Sequence, residues 1–231
     1  MFCHSCGKPV GADVRFCPNC GQSLGVPPAS PGPIPPPVWT PPLQAHAAAA
    51  RWLGAGWDLV QADLGNYVLF TLIFGFLGSV PFIQGALIAG FHIYTMKKLM
   101  GRRAEFSDIF KGFNFFLPTL FATLLIGIFT FLGTLALIIP GLIVAAMYKF
   151  TYLFIVDKRM DFWEAMKASH AVVRNDYLGF TMFLILAFLV NVLGFMCLFV
   201  GLLVTVPMTF AAITVAYKEL VGFEPSTIDS L

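Results

Sequence analysis

The chain has 231 residues, 58% hydrophobic and only 11% charged, with a formal net charge of +2 and a mean hydropathy of +0.82. A soluble domain carries about a quarter charged residues, so a single soluble globule is excluded. The near-neutral net charge also argues against a dedicated nucleic-acid binder.

The chain begins with a cysteine module, CHSCGKPVGADVRFCPNCG at residues 3–21. Cys3 and Cys6 form one CxxC pair, and Cys17 and Cys20 a second. Each pair can present two thiolates to one metal through a tight knuckle, and two knuckles complete a tetrahedral four-sulfur site. Gly7 and Gly21 follow the second cysteine of each pair, where the knuckle needs a residue tolerant of positive φ. Lys8, Pro9 and Val10 lead into a hairpin-like return through Gly11. The module has almost no core of its own, so metal must supply its folding energy. Zinc is the expected cofactor, with a redox CxxC pair or an iron–sulfur site as the competing readings. Four thiolates fill such a site, which leaves His4 an exposed side chain. Lys8 and Arg15, opposed by Asp13, make no basic stripe, so nucleic acid is an unfavourable partner. No secretory signal is expected, because this module stands where a charged and then apolar leader would be.

The stretch resembles the short zinc ribbon, in the form CxxCG…CPxCG, found at the N-terminus of many bacterial and archaeal membrane proteins. The resemblance covers residues 2–24. It implies zinc but no particular function, since such ribbons serve in nucleic-acid binding, protein docking or as a folded cap.

Residues 26–45 read as a linker. Nine prolines lie between Pro27 and Pro42, a composition that favours extended polyproline II over helix or sheet. Ala47–Ala50, Trp52, Leu53, Trp57 and Val60 then suggest an interfacial helix with tryptophans at the headgroup level.

Three long runs follow that are nearly free of charge: Leu64–Met96, Phe113–Val156 and Tyr177–Tyr217. One bilayer crossing takes about 20 apolar residues, so the second and third runs each cross twice. The first run is either a shorter hairpin or one long helix kinked at Pro81. "GALI" at Gly85, "GLIV" at Gly141 and "GLLV" at Gly201 mark the middle of each run. An asparagine beside aromatics opens each, at Asn66, Asn114 and Asn175, preceded by Trp57-Asp58, Phe106-x-Asp108 and Phe162-x-Glu164. The order of marks suggests one unit used three times, an amphipathic lead-in helix followed by a transmembrane hairpin.

The expected fold is therefore an all-α integral membrane protein with six transmembrane helices as three repeated hairpins, over residues 46–223, plus the four-cysteine ribbon at 1–25 and a tail at 224–231. Lys97, Lys98, Arg102, Arg103 and Lys111 lie between the first two hairpins, and Lys158, Arg159, Lys167 and Arg174 between the last two. The expected tips carry no charge. By the positive-inside rule the basic loops and both termini face the cytoplasm. The ribbon then meets a reducing compartment, where thiols persist.

The segments FSDIFKGFNFFLPTL, LIIPGLIVAAMYKF, VDKRMDFWEAMKAS and GLLVTVPMTFAAITVAYKELVG resemble a bacterial membrane family named for the membrane domain of glycerophosphoryl diester phosphodiesterase. The resemblance covers roughly residues 55–223 and implies a fold. No acid and histidine constellation of the phosphodiesterase catalytic domain is present, so that activity is not implied.

Lys149 is the one formal charge inside a crossing and a functional candidate by default. It either lines a polar interior or snorkels to the inner boundary. His92 occupies nearly the same place in the first hairpin, and Thr209 holds it in the third. Asn191, in mid-crossing, and Gln84, near a tip, are helix-bridging groups. Gly75, Gly78, Gly127, Gly133 and Gly194 read as packing residues. Asp161, Glu164, Lys167, His170 and Arg174 make the solvated face of an amphipathic helix, with Phe162, Met166 and Val173 opposite. Cys197 is a small apolar residue. No nucleophile–base pair, intramembrane metal cluster or phosphate loop is evident, and an enzyme is not expected. The expected partners are the lipid bilayer and a protein that docks on the ribbon.

Overall fold

The computed structural model describes residues 2–11, 16–22, 39–42 and 45–224. Asp13, Arg15, most of the proline-rich linker and residues 225–231 of the tail lie outside the described residues. The chain divides into two compact units, 1–40 and 41–231. The first holds the cysteine knuckles, with isolated bridges such as Phe2 to Pro9 and no extended strand among the described residues. The second is mainly helical over its described residues.

Nine α-helices and one 3₁₀ helix are described in the second unit: α1 (Ala49–Ala62), α2 (Leu64–Leu77), α3 (Pro81–Leu99), the 3₁₀ helix (Phe106–Phe115), α4 (Phe116–Ala136), α5 (Ile138–Met147), α6 (Thr151–Asp157), α7 (Phe162–Val173), α8 (Tyr177–Met196) and α9 (Leu202–Leu220). Four stretches are long and apolar enough to cross a membrane: Phe106–Ala136, Ile139–Asp157, Tyr177–Met196 and Leu202–Leu220. A fifth results if α1 and α2, bent by 102° at Asp63, count as one broken span. Lys97 and Lys98 end α3 and His92 lies within it, so this helix is the most polar of the long ones.

Helix breaks fall at Gly78–Val80, at Leu137 and at Cys197–Gly201. The third coincides with the expected tip at Cys197–Gly201, the first overlaps that at Ser79–Gly85, and the second falls one residue before that at Ile138–Gly141, which is helical. Two of the glycine marks do the same job. Gly141 packs backbone to backbone on Gly133, and Gly201 on Gly194, closing α4 on α5 and α8 on α9. Gly85 does another, since it lies against Thr119 and Thr123 of α4. Gly75 and Gly127, expected to pack, have nothing within 4 Å of where a Cβ would stand. They lie on helix faces turned away from the rest of the protein, and small size there serves no contact.

Lead-in segments precede all three apolar runs, each in a different geometry. The second is the 3₁₀ helix, which runs directly into α4. The third, α7, buries Ala165, Met166, Ser169, Val172 and Val173 and exposes Asp161, Glu164, Lys167 and Arg174, the two faces its spacing suggested. The first, α1, departs from the interfacial expectation. Trp57 is 39% exposed, but Trp52 is fully buried between α8 and α9. Its indole Nε1 donates to Glu219 at 2.6 Å, and Arg51 pairs with the same carboxylate. Gly56 lets α1 touch α9, because a Cβ there would stand 2.6 Å from the Met208 carbonyl oxygen. Between helices in lipid no water is released, so such close packing has to supply the attraction. Aromatic rings fill the adjoining space, with Phe70 and Phe91 centred 4.5 Å apart and Tyr67 edge-on to Tyr94.

Carboxylates bind the elements at the ends of the apolar stretches. Asp63, at the bend between α1 and α2, accepts from Tyr94 and from Asn66 (3.0 Å) and pairs with Lys98 at 2.5 Å. Asp108 meets Lys97 at 2.8 Å, Lys111 at 2.6 Å and the Glu105 amide at 2.9 Å. Asp157 accepts from Tyr217 at 2.9 Å and from the Glu224 amide at 2.7 Å. Asp176 caps α8 through the Gly179 amide and accepts the Ala47 amide at 3.1 Å. The Ala47 amide, then that of Gly179, holds its carboxyl below the ordinary carboxylate range against the pull of burial.

Replacing Asp63 by Ala strands three donors at once and frees the bend. We expect a loss of about 2 kcal/mol of stability, read as an earlier unfolding midpoint in a detergent-based denaturation, with Asp108 and Asp157 intact.

Candidate functional site

The two CxxC segments fold as copies of one knuckle. The Cys3 amide donates to the Lys8 carbonyl and the Gly7 amide back to Cys3, at 2.9 and 2.8 Å. The second repeats this with Cys17, Gln22 and Gly21 at 2.8 and 2.9 Å. Gly7 and Gly21 turn the chain at φ of +68° and +72°, a conformation that costs an ordinary side chain about 1 kcal/mol or more. The apolar content is Val10 and the cysteines themselves.

All four Sγ atoms lie within 4.8 Å of one another. Across the knuckles, Cys3 stands 3.6 Å from Cys20 and Cys6 3.6 Å from Cys17. A tetrahedral zinc with Zn–S bonds of about 2.3 Å has sulfur–sulfur edges of about 3.8 Å. The cluster fits that ion, and the spacing is far beyond a disulfide bond of about 2.05 Å. Amides of Asn19 and Cys20 draw Cys17 down to about 6, whereas Cys20 is pushed up to about 12. At Cys20 the Gln22 amide lowers the value, but burial and the neighbouring thiols outweigh it. Neighbouring thiols that interact this closely titrate apart. Four protein sulfurs leave no open coordination position, as in structural zinc sites.

Lys149 stands at a break in a span. The helix stops at Met147 and resumes at Thr151, with a turn at Tyr148–Phe150 between α5 and α6. Ser169 of α7 bridges the break: its hydroxyl donates to the Met147 carbonyl at 2.7 Å and accepts the Phe150 amide at 3.1 Å. Backbone groups freed inside an apolar medium need such partners. Tyr152 and Tyr148 turn toward α4, bonded to Thr123 at 3.0 Å and stacked near Phe129. Lys149 turns the other way, into a cavity of about 870 Å³ lined by α8, α9, Phe74 and Leu142. Among the described residues, its polar lining side chains are Lys149, Asn191 and Thr209. Asn191 donates to the Ala187 carbonyl at 2.9 Å and to Thr209 at 3.3 Å, so it bridges α8 and α9 as its position suggested.

Two of the three intramembrane candidates thus share one cavity, together with Thr209. His92 does not line it. Its ring is buried one layer behind, against Phe91 and Phe210, with Nδ1 2.8 Å from the Thr214 hydroxyl. Sequence reasoning missed Ser169, whose only signal was a small polar residue on the apolar face of α7. Asp63, Asp157 and Asp176 were missed as organising groups for a similar reason, since each reads as the ordinary charged end of an apolar run.

Two outcomes follow from this geometry. Chelation, or Cys17→Ser, removes the dication on which the ribbon folds, a binding worth about 10 kcal/mol or more. Bound zinc then falls from one per chain toward none, and residues 2–24 become protease-sensitive while the helical unit stays folded. Ser169→Ala leaves the Met147 carbonyl and Phe150 amide without their partner, at a cost of about 1–3 kcal/mol. Hydrogen exchange should accelerate around 147–151 before it does in α8 or α9.

Residues 2–24 match the zinc-ribbon domain family. Proteins described as uncharacterized, one from Mycobacterium bovis and others from two strains of Mycobacterium tuberculosis, are each 24% identical to this chain over 165 residues. The match covers 71% of this chain and 49% of each relative, so the chain spans about half the length of the curated relatives it matches. No solved structure matches it significantly. The chain thus carries an N-terminal zinc ribbon, with four cysteines that fit zinc, and a helical unit with several segments able to span a membrane.

Proposed function

We propose that this is a non-enzymatic, multi-pass protein of the cytoplasmic membrane whose zinc ribbon docks a cytosolic protein or helps the membrane body assemble. The observation that carries the reading is the closed four-sulfur centre in its own compact unit. It offers structure and surface without an open metal position. Phe2 and Phe16 hold equivalent places just before each knuckle and are 70% and 64% exposed. An exposed aromatic pair on so small a unit suits a protein contact. The body is read as six crossings in three hairpins, with α2 and α3 as the first, and as related to the membrane family named for glycerophosphoryl diester phosphodiesterase. Breaks at or beside the three tips and the matching glycine contacts of two hairpins support that reading. The basic loops support cytoplasmic termini.

A second reading, transport or lipid handling by the helical unit, is favoured by the cavity at Lys149. His92 then acts from behind Phe210.

In-cell crosslinking and capture, with variants of matched abundance and membrane insertion, separates the two. For docking, the intact protein and a Lys149→Met variant recover the same cytosolic partner. Cys3→Ser/Cys6→Ser loses it with the zinc, and Phe2→Ser/Phe16→Ser loses it while keeping the zinc. An unchanged partner list in both ribbon variants overturns docking and makes the ribbon a folded cap.

A further inference from the structure

We infer that the cavity beside Lys149 is a binding site for a single-chain amphiphile with an acidic head, whose carboxylate or phosphate pairs with the Lys149 ammonium while its chain lies along the apolar wall. This rests on the lipid-handling reading and names its ligand class.

The lysines of the helical unit carry the first part of the case. Lys97 and Lys111 meet Asp108, Lys98 meets Asp63, and Lys158 meets Asp157 and Glu224. Lys218 donates to the Leu99 carbonyl, and Lys167 lies over the Trp163 ring. Among the described residues Lys149 alone has no such partner. An ammonium against apolar walls is costly unless an anion meets it, and this chain supplies none there.

The cavity supplies the second part. At about 870 Å³ it falls in the range of ligand sites, about 300–1,000 Å³. Its walls are otherwise side chains such as Phe74, Leu142, Phe188 and Ile213. The Asn191 Nδ2 and Thr209 hydroxyl donors are spent on each other and on backbone carbonyls, and the Asn191 Oδ1, buried without a partner, can only accept, so recognition of negative charge falls to Lys149. A small free anion would find one cation and nothing else to hold it. A neutral lipid would leave the ammonium unpaired. A chain with an acidic head satisfies both the cation and the walls. The break between α5 and α6 puts Lys149 where the helix is interrupted, as ligand sites in discontinuous spans are placed.

The test uses the full chain in phosphatidylcholine nanodiscs, with palmitate, hexadecyl phosphate, hexadecanol and acetate as probes. Palmitate or hexadecyl phosphate should bind saturably, and the tighter of the two identifies the head. Lys149→Met should weaken that binding about tenfold or more, the share of one charge-assisted contact, while Lys149→Arg preserves it. Hexadecanol should not distinguish wild type from Lys149→Met. Ala187→Phe, which adds bulk to the α8 wall of the cavity and keeps the cation, should also lose the acid. Acid binding unchanged in Lys149→Met, or acetate competing as well as palmitate, overturns the assignment. Should Lys149→Met not insert, undiminished binding by Ala187→Phe does so instead. Phospholipid exchange between vesicles reads lipid handling separately. Exchange that persists alongside Lys149-independent acid binding removes the acid site and leaves lipid handling standing. Lys149-dependent acid binding without exchange does the reverse.

Discussion

Charge that is scarce has to be paired, and in this protein the pairing of aspartate with lysine, tyrosine and backbone amide organises everything between. Only 11% of the chain is charged, and the apolar helices have little directional chemistry with which to choose their neighbours. The aspartates supply it. Asp63 holds the α1–α2 bend to α3, Asp108 holds the 3₁₀ helix to the end of α3, and Asp157 holds α6 to α9. Asp176 starts α8 and receives the chain just before α1. Each accepts from several donors at once, which lets a buried carboxylate offset its desolvation. With those ends pinned, the apolar faces need only close packing to be unique.

The local chemistry was legible in the sequence wherever residue type dictates geometry. Paired cysteines with glycines behind them permit one compact metal-binding turn, and the knuckles adopt it twice. Charge-free runs broken near glycine and proline permit helices that turn back, and the breaks fall at or beside the expected tips. Faces of α7 followed from its spacing because alternating burial on a helix is a one-dimensional signal. What stayed hidden was long-range choice. Trp52 reads as a headgroup residue until α8 and α9 close over it. His92 and Lys149 occupy similar registers, yet Thr214 draws one ring into the packing and the α5–α6 break turns the other chain toward open space. No local pattern encodes Ser169 as the patch for a helix it does not belong to.

The two halves of the molecule solve the shortage of core in opposite ways. Among its described residues the ribbon buries a single small apolar side chain, Val10, beside its cysteines and depends on sulfur to close. The helical unit has aromatic rings in abundance and depends on small residues to let them meet. Its other lysines are met by carboxylates, a carbonyl or a ring, and this gives the cavity at Lys149 its distinct character.

The contact of α1 with α9 bears on how such a chain comes to be made. Gly56 and Trp52 find their partners, Met208, Ala212 and Glu219, at the far end of the helical unit. A ribosome delivers α1 long before α9 exists. The hairpins α4–α5 and α8–α9 can close on their own glycine pairs as they emerge. The first helix must wait for α8 to meet its indole, through Phe180 and Phe183, and for α9 to fill its notch. Packing of α1 is thereby coupled to synthesis of helices more than a hundred residues further along, and a chain interrupted before them leaves the α1 face uncovered.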